Sequence, residues 1–437
     1  MRPEFAPDTF TWLAGIEDTC VHPPEGSGMA VLDEYALTGH DRRWRADLAA
    51  AREIGATGLR YGVQWPAVHV APGRFDWRVL DERLEHAVRD LDLTVVADLV
   101  HYGTPRWLSG SFADPRYPDA VAEFAGAFAE RYRGLVDHLT PLNEPVTTAS
   151  FCGLRGVWPP ALTGWDGWVR VTAAIVRGIR ATIEAARAAN PDAVIVHVEA
   201  SAIYEAAEPS LEAHAAHLQS VADVPMDLLL GRVDASHPMR GWLLEHGLTE
   251  PALEELTRDV PTLDLLGLNY YPDLTPRTLT DTGGAVQQIA VDRWTDGLEL
   301  VLRRAADRWT LPIVITETSI EGDEQRRADW MTRSAELVRG LAAAGLDVRG
   351  YTWWPLLDFV DWSYASGGRE VEEFVLAGGA PTGDRTRPRD GYFADVADGR
   401  DSFLRRMGLL SLAEQPDGSM RSTATAAAAA FAAAARR

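Results

Sequence analysis

Residues 311–319 read Leu-Pro-Ile-Val-Ile-Thr-Glu-Thr-Ser. The proline stops whatever helix precedes it, and a short run of β-branched side chains follows. Glu324–Ala344 then carries apolar residues near helical spacing, and Arg349–Trp353 is a second short apolar run. Strand, helix, strand is the unit from which parallel sheets are built.

The same alternation runs back through the chain. Candidate strands are Thr11–Ala14, Gly58–Tyr61, Thr94–Val100, Leu139–Asn143, Ala193–Val198, Leu263–Asn269, Ile313–Thr316 and Arg349–Trp353. Helical spacing covers Asp41–Ile54, Asp76–Asp90, Asp119–Arg133, Trp168–Ala189, Glu299–Trp309 and Glu324–Ala344. Several of these open on an Asp suited to N-capping. Asn190-Pro191 stops one helix before a strand, as Leu311-Pro312 does. Eight strands separated by helices predict a parallel sheet closed into a (β/α)8 barrel, with the site at its C-terminal face. The open doubly wound alternative lacks support, because no G-x-G-x-x-G follows the first strand.

The 437 residues are expected to form a single barrel domain, with loop insertions at Cys20–His40, Pro209–Pro261 and Ser363–Leu404. Ala424–Ala435 reads as a final helix on the barrel exterior. Hydrophobic residues make up 46% and charged residues 24%, which suits a large core. The net charge is −22 and no Lys occurs, so nucleic acid and anionic membranes are not expected partners. Two cysteines, Cys20 and Cys152, build neither a disulfide framework nor a CxxC metal site. No apolar run approaches a membrane span, and Met1–Phe10 has no secretory h-region, so the expected location is the cytoplasm.

Polar residues at strand C-terminal ends face the mouth of such a barrel. Those ends supply Glu17, Arg60, His101, Asn143 with Glu144, Asn269 with Tyr271, Glu317, and Trp354. Cleaving a glycosidic bond takes two carboxyl groups, one protonated toward the leaving oxygen and one ionised toward the anomeric carbon. Glu144 and Glu317, on the fourth and seventh strands of the ring, fit as acid/base and nucleophile. Arg60 and the Tyr271 hydroxyl are placed to keep Glu317 ionised, and Asn143 to bond the sugar 2-hydroxyl. No His/Cys/Asp set has metal-ligand spacing, and this chemistry requires neither metal nor organic cofactor.

The ordered motifs make the resemblance specific. Leu139-Thr-Pro-Leu-Asn-Glu-Pro145 resembles the T-x-N-E-P segment of glycoside hydrolase family 1, and Ile313-Val-Ile-Thr-Glu317 is similar to its I-T-E-N-G strand. Gly267–Tyr271 matches G-x-N-Y-Y. Gly350–Asp358, followed by Phe359-Val-Asp-Trp362, resembles G-Y-x-x-W-S-L-L-D-N-F-E-W. His101–Pro105 resembles H-W-D-x-P, and Arg60–Trp65 resembles R-x-S-x-x-W. The resemblance implies a retaining β-glycosidase, β-glucosidase-like, working through a covalent glycosyl-enzyme. It implies that Trp354 floors the first sugar subsite and that Asp361 and Trp362 contact distal hydroxyls. His101, Asn143 and Asn269 would bind hydroxyls near the cleaved bond.

Departures from the family pattern are as informative. Thr318-Ser319 replaces Asn-Gly, Asp361 replaces Glu, and Tyr102-Gly103 replaces Trp-Asp. The first strand has Ala14-Gly-Ile-Glu-Asp18 in place of A-x-x-Y-Q-x-E-G, so Glu17 is expected to take over the Gln's hydroxyl binding. These imply a divergent member with an unusual sugar or aglycone. Near the eighth strand no basic cluster is legible, which places 6-phospho-sugars low. The expected partner is a carbohydrate or a glycosylated small molecule. A transglycosylase or tailoring glycosidase using the same carboxylates, and a non-catalytic sugar-binding barrel, remain open. The sugar, the aglycone and the oligomeric state are not legible.

Overall fold

A computed structural model describes residues 5–7, 9–24, 26–368, 371, 374–376 and 400–436. The eight expected runs are strands, and they close on themselves. They are β1 (Thr11–Gly15), β2 (Gly58–Gly62), β3 (Thr94–Asp98), β4 (His138–Thr140), β5 (Val194–Ala200), β6 (Leu265–Asn269), β7 (Ile313–Thr318) and β8 (Val348–Trp353). Each pairs in parallel with the next, and Thr11 of β1 lies opposite Gly350 of β8 to seal the ring. Every residue of β1, β2, β3, β6 and β7 is buried. Helices cover the outside and side chains fill the inside, so such strands read as continuous apolar runs. Leu13, Val96, Val196, Val198, Leu265 and Val314 pack with Phe5 in one cluster inside the ring.

The strands alternate with α1 (His40–Glu53), α2 (Arg78–Glu85), α3 (Tyr117–Arg131), α4 (Gly164–Ala189), α5 (Glu212–Leu229), α6 (Trp294–Trp309) and α7 (Glu324–Ala343). The Ala-rich α8 (Ala426–Ala435) buries Ala427, Ala428 and Phe431, and the Phe431 ring sits 5.8 Å from that of Trp12. No described helix is long and apolar enough to cross a membrane.

Two expectations are corrected. Pro209–Pro261 is not simply inserted, since it contains α5, the helix of the fifth strand–helix unit. Pro225 inside α5 and its weakly amphipathic sequence hid it. Two of the Asp residues at helix starts are not caps: Gly39 caps α1 and Arg116 precedes α3, leaving Asp41 and Asp119 in first turns, where they favour the helix dipole, whereas Asp76 accepts from the Arg78 amide at the start of α2 at 3.3 Å. Asp323, before α7, does cap, accepting from the Arg326 amide. Most of the insertion expected at Ser363–Leu404 lies outside the described residues.

Candidate active site

Near the C-terminal end of β7, Glu317 faces two donors. The register between β6 and β7 slips after Leu268, so that Asn269 pairs with Glu317. Such irregularities re-aim side chains at strand ends. Arg60, rising from β2, donates from Nη1 to Glu317 Oε1 at 2.5 Å, and the Tyr271 hydroxyl donates to Oε2 at 2.6 Å. Arg60 is fully buried, and its Nη2 also donates to Asp98 Oδ2 at 2.5 Å and to Asn143 Oδ1 at 2.8 Å. Burial lifts the Glu317 carboxyl to about 8; Arg60 pulls the other way and the Glu144 charge adds to the lift. The Arg60 guanidinium loses hydration, but Asp98 and Glu317 outweigh that loss and keep it charged.

Among the described residues, Glu144 meets no cation. Its backbone is left-handed, φ 46° and ψ 74°, a costly conformation that recurs where a side chain must be aimed. The Asn269 amide donates to Oε1 and the Tyr102 hydroxyl donates to Oε2, each at 2.8 Å. Tyr102 is also left-handed, at φ 67°. Beside it, Gly103 is the residue the space demands, since a Cβ there would lie 1.7 Å from the Cys20 carbonyl oxygen.

Glu17, His101, Tyr102, Glu144, Asn269, Tyr271, Glu317, Trp354 and Trp362 line one cavity at the barrel mouth. Trp354 lies parallel to His101, ring centroids 5.6 Å apart, and donates from its indole nitrogen to Glu17 Oε2 at 3.1 Å. Its ring occupies the space over Gly15, where a Cβ would come within 1.9 Å. The Trp362 indole nitrogen is buried with no acceptor among the described residues. An indole N–H left in that state is a place for a ligand oxygen.

His101 Nδ1 faces Asp98 Oδ2 at 2.8 Å and Asp18 Oδ1 at 3.0 Å. Burial opposes charging the ring, but the two carboxylates outweigh it and raise its basicity. Asn143 limits the effect: Arg60 fixes its Oδ1, so its Nδ2 must face His101 Nε2, at 3.2 Å. Two N–H groups cannot face each other, so this favours the neutral ring with Nε2 accepting. Asp18, Asp98 and His101 are the described residues whose ligand atoms cluster within 4.8 Å. Arg60 and His101 both occupy Asp98 Oδ2, which leaves a cation competing with donors already seated there.

Two expected sugar contacts are not brought to the cavity wall. Asn143 is fully buried behind His101 and Tyr102, its amide engaged by Arg60, Tyr102, His101 and Asn269. Asp361 turns away, capping Ser363 at 2.9 Å and lying 3.9 Å from Arg405 Nε. Phe359 and Arg405 line that side instead. Arg405 also donates to Glu321 at 2.9 Å. The basic group not legible near the eighth strand therefore comes from far along the chain. Tyr102 and Asp98 were missed as site residues. Their nearness to His101 in sequence was the available signal.

A closed parallel barrel with two glutamates facing one mouth defines a class of glycoside hydrolases. Residues 16–370 match the family described as Glycosyl hydrolase family 1. Beta-glucosidase A of Thermotoga maritima is 22% identical over 381 residues, spanning 78% of this chain and 85% of that protein. Thermostable beta-glucosidase B of Thermobispora bispora is 24% identical, over 80% of this chain and 79% of its own. A solved family 1 β-glucosidase from Thermotoga maritima superposes with a TM-score of 0.76 at 17% identity, covering 99% of this chain and 98% of that one. A β-glucosidase from the same organism in complex with castanospermine gives 0.78. The chain belongs to glycosyl hydrolase family 1 and is a glycoside hydrolase.

The lift on Glu317 has a consequence for stability. A carboxyl whose folded value, about 8, exceeds its ordinary 4.5 holds a proton more tightly when folded. Its contribution is intact below pH 4.5 and is lost as pH rises through 8. Glu317→Gln keeps an oxygen for Arg60 and removes the titration. Melting curves between pH 5 and 9 should show the variant losing less stability with rising pH than the parent. Parallel curves would refute the lift.

Proposed function

We propose that this protein is a retaining β-glycosidase that releases a terminal β-linked, glucose-like sugar, with the whole chain acting as one catalytic unit. The observation carrying this reading is the contrast between the two glutamates. Glu317 is held by a cation and a phenol, whereas among the described residues Glu144 is held by neutral donors. Attack needs the ionised Glu317, which Arg60 and Tyr271 favour against the lift of burial and which gains population as pH rises toward 8; the neutral donors leave Glu144 to exchange a proton.

In the first step Glu317 attacks the anomeric carbon while Glu144 gives its proton to the leaving oxygen. The charge on Glu317 disappears as the ester forms, and Arg60 keeps Asp98 as its ionic partner. In the second step Glu144 takes a proton from water, whose oxygen displaces Glu317. Trp354 offers a flat apolar face to the sugar, and Glu17 and His101 offer polar edges to its hydroxyls. The unpartnered Trp362 N–H supports a further hydroxyl contact. The β-glucosidases among the relatives support a glucose-like sugar. The Arg405 and Phe359 edge, where Asp361 turns aside, supports a different preference at the distal hydroxyls.

The test is intact mass after incubation with a panel of 2-fluoro dinitrophenyl glycosides. The expected result is one added glycosyl unit, mapped to Glu317. No adduct with any sugar, alongside tight sugar binding, would favour a non-catalytic barrel.

A further inference from the structure

Arg60, Asn143 and Tyr102 form a directional relay into Glu144. Arg60 has only donors, so the Asn143 atom it meets at 2.8 Å is the amide oxygen. The Asn143 nitrogen therefore points at the Tyr102 oxygen, 2.9 Å away. That leaves the phenolic proton directed to Glu144 Oε2 at 2.8 Å. On the other side, Asn269 Oδ1 accepts from Thr316 at 2.7 Å, so its nitrogen donates to Glu144 Oε1. Both carboxyl oxygens of Glu144 thus accept hydrogen bonds from neighbours. Donors in series polarise one another, and donors on a carboxyl group favour its ionised form.

We propose that Tyr102 is a positioning residue that holds Glu144 as a carboxylate for the water-consuming second step. The inference rests on the glycosidase reading above. In that step the water oxygen bonds to the anomeric carbon and the ester bond to Glu317 breaks. The bonding pair returns to the Glu317 carboxylate, and the water proton goes to Glu144. Tyr102 exchanges no proton. Burial, with Glu144 and Glu317 adding, raises its phenol well above the ordinary value, so it remains a donor. Its ring is fixed by His101, Trp158 and Trp362, at centroid distances of 4.5, 5.1 and 5.4 Å. The family's Trp at this place has an indole and no hydroxyl, so the relay is a property of this chain.

The titratable groups around Glu144 are Tyr102, Tyr271, Glu199 and Glu317, with Arg60, His101 and Glu17 beyond them. In the glycosyl-enzyme Glu317 is an ester and carries no charge, so it no longer acts on Glu144. A dinitrophenyl glycoside leaves without acid help, so kcat reports the second step and kcat/KM the first.

Tyr102→Phe keeps the ring and deletes the relay's last bond. The acidic limb of kcat should move up by about one pH unit, and kcat on that limb should fall about tenfold. By the same logic kcat/KM should change by less than about threefold. A melting temperature near that of the parent excludes a folding defect. 3-Fluorotyrosine at position 102 is a stronger donor and should move the same limb down. Turnover in the parent with an unmoved limb in both variants overturns the inference alone. No turnover in the parent, across the sugar panel, overturns the glycosidase reading and the inference together.

Discussion

Glu317→Ala is expected to lower kcat by about 10⁴-fold or more, since Glu317 is the proposed nucleophile that forms the glycosyl ester. Arg60 stays buried and bonded to Asp98 and Asn143, and the Tyr271 hydroxyl is left facing an empty space. That space lies beside the anomeric carbon. Added azide should enter it and attack an activated β-glycoside once, giving the α-glycosyl azide in place of the retained sugar. The rate is followed by nitrophenol release and the product by NMR. Parent-like turnover in the variant would remove Glu317 from the mechanism. A β-configured azide product would show that attack comes from the other face.

Glu144→Ala should have an effect that depends on the leaving group. Glycosides of alkyl alcohols should lose about 10²–10⁴-fold, the range for a deleted general acid. A dinitrophenyl glycoside should still form the ester on Glu317 and then stall, because no base remains for water. Stopped-flow should show a burst of about one equivalent of phenol followed by slow turnover. Azide, which needs no base, should restore turnover and yield the β-glycosyl azide. Equal losses for good and poor leaving groups would contradict the acid role. The vacated Asn269 and Tyr102 donors both lie within the cavity wall and can bond water, so a large loss of stability is not expected.

The barrel was legible because strands buried on both faces leave an unbroken apolar trace, as in Thr94–Asp98, where the chain reads Thr-Val-Val-Ala-Asp. The two glutamates were legible because one closes such a run and the other comes a few residues after one. Contacts made across the ring were less so. Asn143 read as a sugar ligand from its place beside Glu144, but Arg60, 83 positions earlier, binds its amide from behind. Asp361 read as a distal contact, but Arg405 approaches it from a much later segment of the chain. The role of Tyr102 depends on a left-handed backbone and on the orientation of a neighbouring amide. Neither leaves a periodic trace in the sequence. α5 was hidden for a local reason, a proline in its last turns.

The contact of Gly103 with the Cys20 carbonyl couples two loops in sequence change. A Trp-Asp dipeptide transplanted into positions 102–103 would drive the new Asp side chain into the ribbon formed by Cys20–Val21 and Leu32–Asp33. The family's usual pair can be restored only if the segment after β1 is exchanged with it. Chimeras swapping one loop should misfold locally, while those swapping both should tolerate the graft, so the two loops will have drifted as a unit.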